Sequence, residues 1–460
     1  MKLPFLDRHE ERKRLRRALS SREGNVVVLY GRRRCGKSRL LLETLQDRRS
    51  VYFVCDEREG SLQRRSLAGA IASLVPAFAR VEYPDWDALL DRFWSEAPDG
   101  VVLAFDEFPY LATASPELPS LLQKRIDAAH PRTRHIVLCG SSQRMMQGLV
   151  LDATAPLYGR AREILEIGPL AAGWISKAFS FRDEISALEA FSVWGGIPRY
   201  WELANDFKTT HAAIARLVLD PLGALREEPD RLLLDDLWET TQASSVLSLI
   251  GEGCNKISEI AGRLGKPATS LSRPLSRLLE LGLVEREIPF GASERDSKRS
   301  RYRIADPFLS FWFRFAAPHR ALVEARRSTL LERQLAEYLP AQTGVVWERL
   351  ARLSVPCLSL GGRRWLPASR WWGGGLDRQP LEIDIAAASE DGSAILVGEA
   401  KLALGSRDWS REIAVLRAKI KRFPPAQGRK VIACIWCAAG GRAPAGSVTV
   451  DARRVLQVLK

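Results

Sequence analysis

The sequence predicts an α/β multidomain chain: a parallel sheet with flanking helices first, short helices in the middle, and a second α/β domain at the end. Three observations predict it. Short β-branched runs at Asn25–Tyr30, Ser50–Cys55, Val101–Phe105 and His135–Cys139 are separated by helical patterns, as in parallel sheets with crossover helices. From about Leu232 the pattern turns to short amphipathic helices. Near the end, Leu381–Ile385 and Ala394–Lys401 read as two strands around the turn signal Asp391-Gly392. A chain of 460 residues exceeds one hydrophobic core. The reading divides it into 1–170, 171–235, 236–315 and 316–460.

Composition narrows the class. Apolar residues make up 46% and charged residues 27%, as in an ordinary globular protein. The first twenty residues are rich in Arg, Lys and Glu, with no apolar leader core, and no apolar run is long enough to cross a bilayer. Seven scattered cysteines fit a reducing, cytoplasmic setting better than a disulfide framework. Cys434 and Cys437 lie in the apolar run Val431–Cys437, which reads as a buried strand in preference to a zinc site. A net charge of +14 suggests a polyanionic partner, most simply DNA, and no membrane partner.

The first strand runs into Gly31-Arg-Arg-Arg-Cys-Gly36-Lys37-Ser38 and then a helical pattern, SRLLLETLQ. Strand, glycine loop and helix form a P-loop, whose backbone N–H groups and helix N-terminus favour phosphate. Gly31 and Gly36 permit the tight loop, Lys37 reaches the β/γ-phosphates, and the Ser38 hydroxyl ligates Mg²⁺; ATP and Mg²⁺ are the expected cofactors. Val101–Phe105 ends in Asp106-Glu107, so Asp106 is the candidate Mg²⁺-side carboxylate and Glu107 the candidate base for attacking water. Ser141, at the exit of the fourth strand, is a candidate γ-phosphate sensor. Arg160, with Arg162 as the spare, is a candidate for transition-state charge, in cis or across a homo-oligomer interface; an ordinary surface arginine is the alternative.

Together Phe5-Leu-Asp-Arg8, GRRRCGKS, FDEFPYL, CGSSQRMM, PLYGRA and Gly195-Gly-Ile-Pro-Arg-Tyr200 resemble the archaeal-type P-loop ATPase family, near the AAA+ and STAND ATPases. The resemblance implies a P-loop NTPase sheet with a helical lid over 171–235. It also implies that Arg8 and Pro198 belong to segments flanking the adenine.

In the middle, Lys256–Leu264 and Ala268–Leu281 are two amphipathic helices joined at Gly265, followed by strands from Leu283-Val284 and Tyr302-Arg-Ile304. That order is a winged helix-turn-helix pattern. Arg273 and Arg277 on the second helix, with Lys298, Arg299 and Arg301 on the wing, are the candidate DNA contacts, chiefly to phosphates. Pro274 falls inside the second helix and is expected to kink or restart it. A winged helix used only for packing between domains is the alternative.

In the last segment, a two-residue turn at Asp391-Gly392 would make paired residue numbers sum to 783, placing Asp384 opposite Glu399 and Glu382 opposite Lys401. Facing carboxylates repel unless a cation lies between them, which suggests Mg²⁺, with Lys401 orienting or activating a metal-bound water. Asp followed by Glu-x-Lys on a hairpin resembles the restriction-endonuclease-like nuclease core. That resemblance implies a catalytic set Asp384, Glu399 and Lys401, with Glu348 as a further metal-side acid; Asp306-Pro-Phe-Leu and Phe311–Phe315 look like the linker before such a domain. A charged solvent-facing hairpin gives the same letters. The expectation is an ATP-hydrolysing, DNA-binding protein with a nucleotide-gated Mg-dependent nuclease domain. A nucleotide-driven regulatory or scaffolding switch with a non-cleaving domain is the alternative.

Overall fold

The computed structural model describes residues 3–460 except 129–131, 182, 237–239, 294, 296–298, 406–407, 442 and 445. The chain forms two compact units, Asp7–Pro169 and the combination of Met1–Leu6 with Leu170–Lys460.

The smaller unit is built on a five-stranded parallel sheet: β1 Val26–Tyr30, β2 Ser50–Val54, β3 Val101–Asp106, β4 Arg134–Gly140 and β5 Ala161–Glu166, in the order β2-β3-β4-β1-β5. β3 and β4 are buried along their whole length, as expected of strands covered by helices on both faces. Four strands lie where the β-branched runs are. The fifth, AREILE, alternates exposed and covered residues because it forms a sheet edge. The insertion of β4 between β1 and β3 matters for chemistry: the end of β4 falls between the glycine loop and the acidic pair.

In the larger unit, helix Ile257–Arg263 is followed by a 3₁₀ turn, Ala268–Leu271, and helix Ser272–Glu280. Pro274 is the third residue of that helix, among the first four N–H positions that have no intrahelical partner, so it costs no helical bond. The helix restarts at Ser272 and is not kinked at the proline. β6 Val284–Glu287 and β7 Arg301–Ile304 then pair antiparallel.

The second sheet contains β8 Ser369–Gly374, β9 Pro380–Ala388, β10 Ala394–Lys401, β11 Lys430–Cys437 and β12 Val448–Val450, in the order β12-β11-β10-β9-β8. β10, β11 and β12 are parallel; β8, β9 and β10 are antiparallel. The long helix Ser328–Ser354 packs against β9 and β10. Helix Asp408–Arg422 contributes Trp409 and Leu416 to the core shared with Ile395, Val397 and Ile435. Among the described residues, no helix is long and apolar enough to cross a membrane.

The hairpin keeps the expected register, but only for part of its length. Ile395–Ala388, Leu396–Ala387, Val397–Ala386 and Gly398–Ile385 are paired. Ser389 N–H donates to Ala394 O, so continuing the ladder would place Ala400 N–H on Ile383 O. Instead, Ala400 N–H donates to the Asp384 carboxylate at 3.1 Å. The reason is a β-bulge in β9. Its partners on β8 move from Ala386 to Ile383 while β8 advances from Ser369 to Trp371, which leaves one extra residue on β9. The simple opposition of Asp384 to Glu399, and of Glu382 to Lys401, is therefore corrected. Glu382 turns to Arg301 at 3.1 Å and Arg370 at 3.9 Å.

Candidate functional site

The glycine loop closes where β1 meets the helix Lys37–Leu45. Gly31 has φ 135°, and a Cβ there would meet Ile167 O at 2.5 Å, so both conformation and space call for glycine. Gly36, at φ 92°, caps the helix and directs its N-terminal N–H groups into the loop. Lys37 is buried, and its ammonium donates to Gly31 O at 2.7 Å and Arg32 O at 3.1 Å. Arg8 donates to Cys35 O at 3.3 Å, to Gly168 O and to Glu11 at 2.9 Å, so it braces the loop backbone.

The two residues expected to hold Mg²⁺ share a third group. The Tyr52 hydroxyl donates to Asp106 Oδ2 at 2.5 Å and accepts a hydrogen bond from Ser38. Burial first, and the Asp106 hydrogen bond second, push the phenol far above its usual range. Asp106 Oδ1 accepts Glu107 N–H at 3.1 Å. A hydroxyl and a buried carboxylate, bridged by one phenol, are the hard oxygen donors that suit Mg²⁺ beside nucleotide phosphates. Tyr52 was missed in the sequence because tyrosine is an ordinary strand former. Its one distinguishing signal is a hydroxyl on the strand adjacent to β3.

Glu107 adopts a left-handed backbone, φ 55°. Its Oε2 accepts Ser141 N–H at 3.0 Å and the Ser141 hydroxyl at 2.8 Å. The candidate base and the candidate sensor are thus one hydrogen-bonded pair.

Arg160 is elsewhere. It binds Asp127 through Nε and Nη2, both at 2.8 Å, and donates to Tyr158 O at 3.0 Å. Asp127 ends the helix leading towards β4, and Ala161 pairs with Val26 at the start of β1. Arg160 therefore sits at the amino-terminal edge of the sheet, whereas the glycine loop follows the carboxyl end of β1, about 16 Å along the strand. Arg162 reaches Ser21 and Asn25 on the same edge. The cis role expected for either arginine is corrected.

In the larger unit, Pro198 begins the helix Pro198–Ala204; Tyr200 behind it packs on Phe308 at 4.7 Å and bonds Glu228 at 3.0 Å. Arg273 is exposed on helix Ser272–Glu280, and Arg277 pairs with Glu280 at 3.0 Å. Lys298 lies outside the described residues. Of Arg299 and Arg301, expected on an open wing, Arg299 is exposed and Arg301 partly covered, and both engage Trp372. Arg299 donates to Trp372 O at 2.7 Å, and Arg301 lies over the Trp372 ring at 4.5 Å while pairing with Glu382. Trp372 offers both an acceptor and a π-face to these two cations.

Around the bulge, the carboxylates come under strong mutual influence. Glu399 is buried; burial first and Asp384 second push its carboxyl up to about 7. Burial and Asp384 raise Glu348 as well. Lys419 donates to Glu399 at 2.7 Å, and Lys401 lies 3.9 Å from Glu399 and 3.5 Å from Glu412. Arg352 donates to Asp384 O at 3.0 Å and lies 4.0 Å from Glu348. Among the described residues, no three Asp, Glu, His or Cys side chains gather as a metal-holding set. With Lys419 on Glu399, the residues as arranged do not fit a closed metal centre. Lys419, twenty residues beyond Glu399, carries no sequence signal of its own.

Known proteins match this architecture. Residues 5–203 match the model of an ATPase domain predominantly from Archaea, and residues 312–413 match a family of archaeal and bacterial proteins of unknown function. An uncharacterised protein of Methanocaldococcus jannaschii is 29% identical over 407 residues, covering 86% of this chain and 87% of its own. A Walker-type ATPase of Pyrococcus abyssi superposes with a TM-score of 0.53 at 22% identity, covering 67% of this chain and 96% of its own. The strand order, the glycine loop and these matches lead to one conclusion: residues 5–203 form a P-loop NTPase-like α/β domain similar to the ATPase domains found predominantly in Archaea, and a separate α/β domain follows at the C-terminal end.

Proposed function

We propose that the protein hydrolyses ATP to control how its larger unit handles DNA. Lys37 and the N-terminus of its helix bind the phosphates, Ser38 and Asp106 hold Mg²⁺, and Glu107 orients the attacking water. Mg²⁺, when bound there, neutralises charge on the β/γ-phosphates. Ser141 links the γ-phosphate position to Glu107. The observation that carries this reading is the pairing of Glu107 with Ser141 at the end of β4, between the loop and the acidic strand end.

For DNA, the helix pair with its β6–β7 hairpin supports a winged helix-turn-helix, in which Arg273 is the free basic contact. For the C-terminal domain, the approach of Asp384, Glu399, Lys401 and Glu348 around the bulge supports a nuclease-like core. A second reading, a switch whose C-terminal domain does not cleave, is favoured by the 2.7 Å Lys419–Glu399 contact, which occupies an acid that cleavage would use. The test is incubation of the protein with plasmid, Mg²⁺ or Mn²⁺ and ATP, beside Lys401→Ala and Lys37→Ala. Cleavage lost in Lys401→Ala supports the nuclease. No cleavage in any condition, or cleavage unaffected by Lys401→Ala, leaves the non-cleaving switch.

A further inference from the structure

A cleft of about 270 Å³ runs between the β6–β7 hairpin and the long helix Ser328–Ser354. Six arginines line it: Arg301, Arg303, Arg314, Arg349, Arg352 and Arg370. Its own walls contribute Glu287 and Glu348, and Glu285 and Glu382 pair with arginines of the set. Six guanidinium groups line the cleft against four carboxylates in direct ion pairs, with Asp306 and Asp384 acting on the set from beyond its walls.

Arg303 lies 2.5 Å from Glu285 and Arg301 3.1 Å from Glu382, but other ion pairs in the cleft are loose. Arg352 lies 3.5 Å and Arg370 3.7 Å from Glu287, Arg370 lies 3.9 Å from Glu382, and Arg352 lies 4.0 Å from Glu348. A made charge-assisted hydrogen bond is about 2.7–2.9 Å. Arg301 Nε is buried without a hydrogen-bond partner. Arg352 is buried and Arg349 partly so, and burial lowers the pKa of both, Arg352 to about 10. Such donors gain most from an added anion, because their desolvation is already incurred. Glu287, facing Arg303, Arg352 and Arg370, shows how one anionic group is held there.

We propose that this cleft binds the backbone of an unpaired nucleic-acid strand, with its phosphates on the arginines and a base against Tyr302. Tyr302 lines the cleft beside the arginines, and a basic groove with an aromatic ring is the combination that holds single strands. A volume of about 270 Å³ accepts one nucleotide or so of chain. A duplex, whose major groove alone is about 12 Å wide, does not enter. Glu348 lies in the wall and is electrostatically coupled to Asp384, so the strand lies beside the bulge carboxylates. The inference rests on the nucleic-acid reading above and is independent of cleavage.

The experiment is fluorescence anisotropy of the full chain in EDTA, with labelled oligothymidylate, a mixed-sequence duplex, and unlabelled inorganic tripolyphosphate as competitor. The protein is expected to favour the single strand. Combined Arg314→Ala and Arg370→Ala is expected to weaken it about tenfold and flatten the salt slope by about one to two. Arg370→Lys should restore part of the affinity, which separates lost charge from lost folding, and Tyr302→Leu should weaken single-strand binding without altering the salt slope. Binding is read in EDTA, where no metal-dependent cleavage occurs, so failure of the nuclease reading leaves this one standing. Three results overturn the proposal: equal affinity for duplex, tripolyphosphate competing as well as oligothymidylate per phosphate, or unchanged binding in the arginine pair. If binding falls only in Arg273→Ala, DNA sits on the helix; the cleft is then refuted and the DNA-binding reading survives.

Discussion

Replacing Tyr52 with phenylalanine tests the metal side of the proposed nucleotide site without touching the glycine loop. The substitution removes one hydroxyl and leaves the ring's packing. Asp106 is held from two sides, by Tyr52 on Oδ2 at 2.5 Å and by Glu107 N–H on Oδ1 at 3.1 Å. A hydrogen bond to a charged group contributes about 1.5–3 kcal/mol. Tyr52 is only half-buried, so the lower end applies, and that is about tenfold in an equilibrium constant. Groups that orient metal ligands commonly alter metal affinity or activity by about 10–100-fold. The Mg²⁺ concentration giving half-maximal ATPase rate should therefore rise about tenfold in Tyr52→Phe. Nucleotide affinity in EDTA, read with a fluorescent ATP analogue, should stay as it was. An equal loss of affinity in EDTA would show that Tyr52 shapes the loop, and tighter Mg²⁺ dependence would show that the phenol competes with the metal. Either result refutes the reasoning.

Two further outcomes follow from buried and tethered groups. His135 is buried in β4, and burial followed by the nearby Arg48 charge lowers it from 6.5 to about 4. Over that window the unfolded chain takes a proton that the native state refuses. Stability is full above pH 6.5 and falls with pH, by up to about 3 kcal/mol near pH 4. His135→Phe should flatten this slope in urea midpoints of the Asp7–Pro169 unit read by pulse proteolysis, and identical slopes would contradict the assignment. For Arg160→Ala, ATP affinity and turnover in dilute protein should be unchanged. A deficit growing with protein concentration would assign Arg160 to a neighbouring subunit's site, and a deficit at every dilution would contradict its placement at the far sheet edge.

Much of the candidate nucleotide site was legible because its chemistry is local. Gly31, Gly36, Lys37 and Ser38 are contiguous, and the flanking runs announce a strand and a helix. Asp106 and Glu107 follow from the rule that ligands gather at the carboxyl ends of parallel strands. What was not legible depends on who faces whom. Charge alone made Arg299 and Arg301 resemble DNA contacts, but the tryptophan that takes them up lies about seventy residues away in sequence. Arg160 followed a plausible motif order, yet its side of the sheet is decided by the pairing of β5 with β1. Pairing arithmetic located the hairpin and its turn, but it assumes an uninterrupted ladder. The extra residue in β9 leaves no mark in composition or periodicity.

That extra residue makes the C-terminal carboxylate arrangement a matter of strand length as well as side-chain identity. Deleting Ile385 would remove one residue from β9 while every acid and lysine remained present. Preserving the contacts of β8 would then remove the bulge, leaving Ile383 and Ala386 on the core face they share and Asp384 alone opposite Arg370 in a regular ladder. In a set of related chains, a one-residue gap in β9 would therefore signal a changed site even where Asp, Glu and Lys all align.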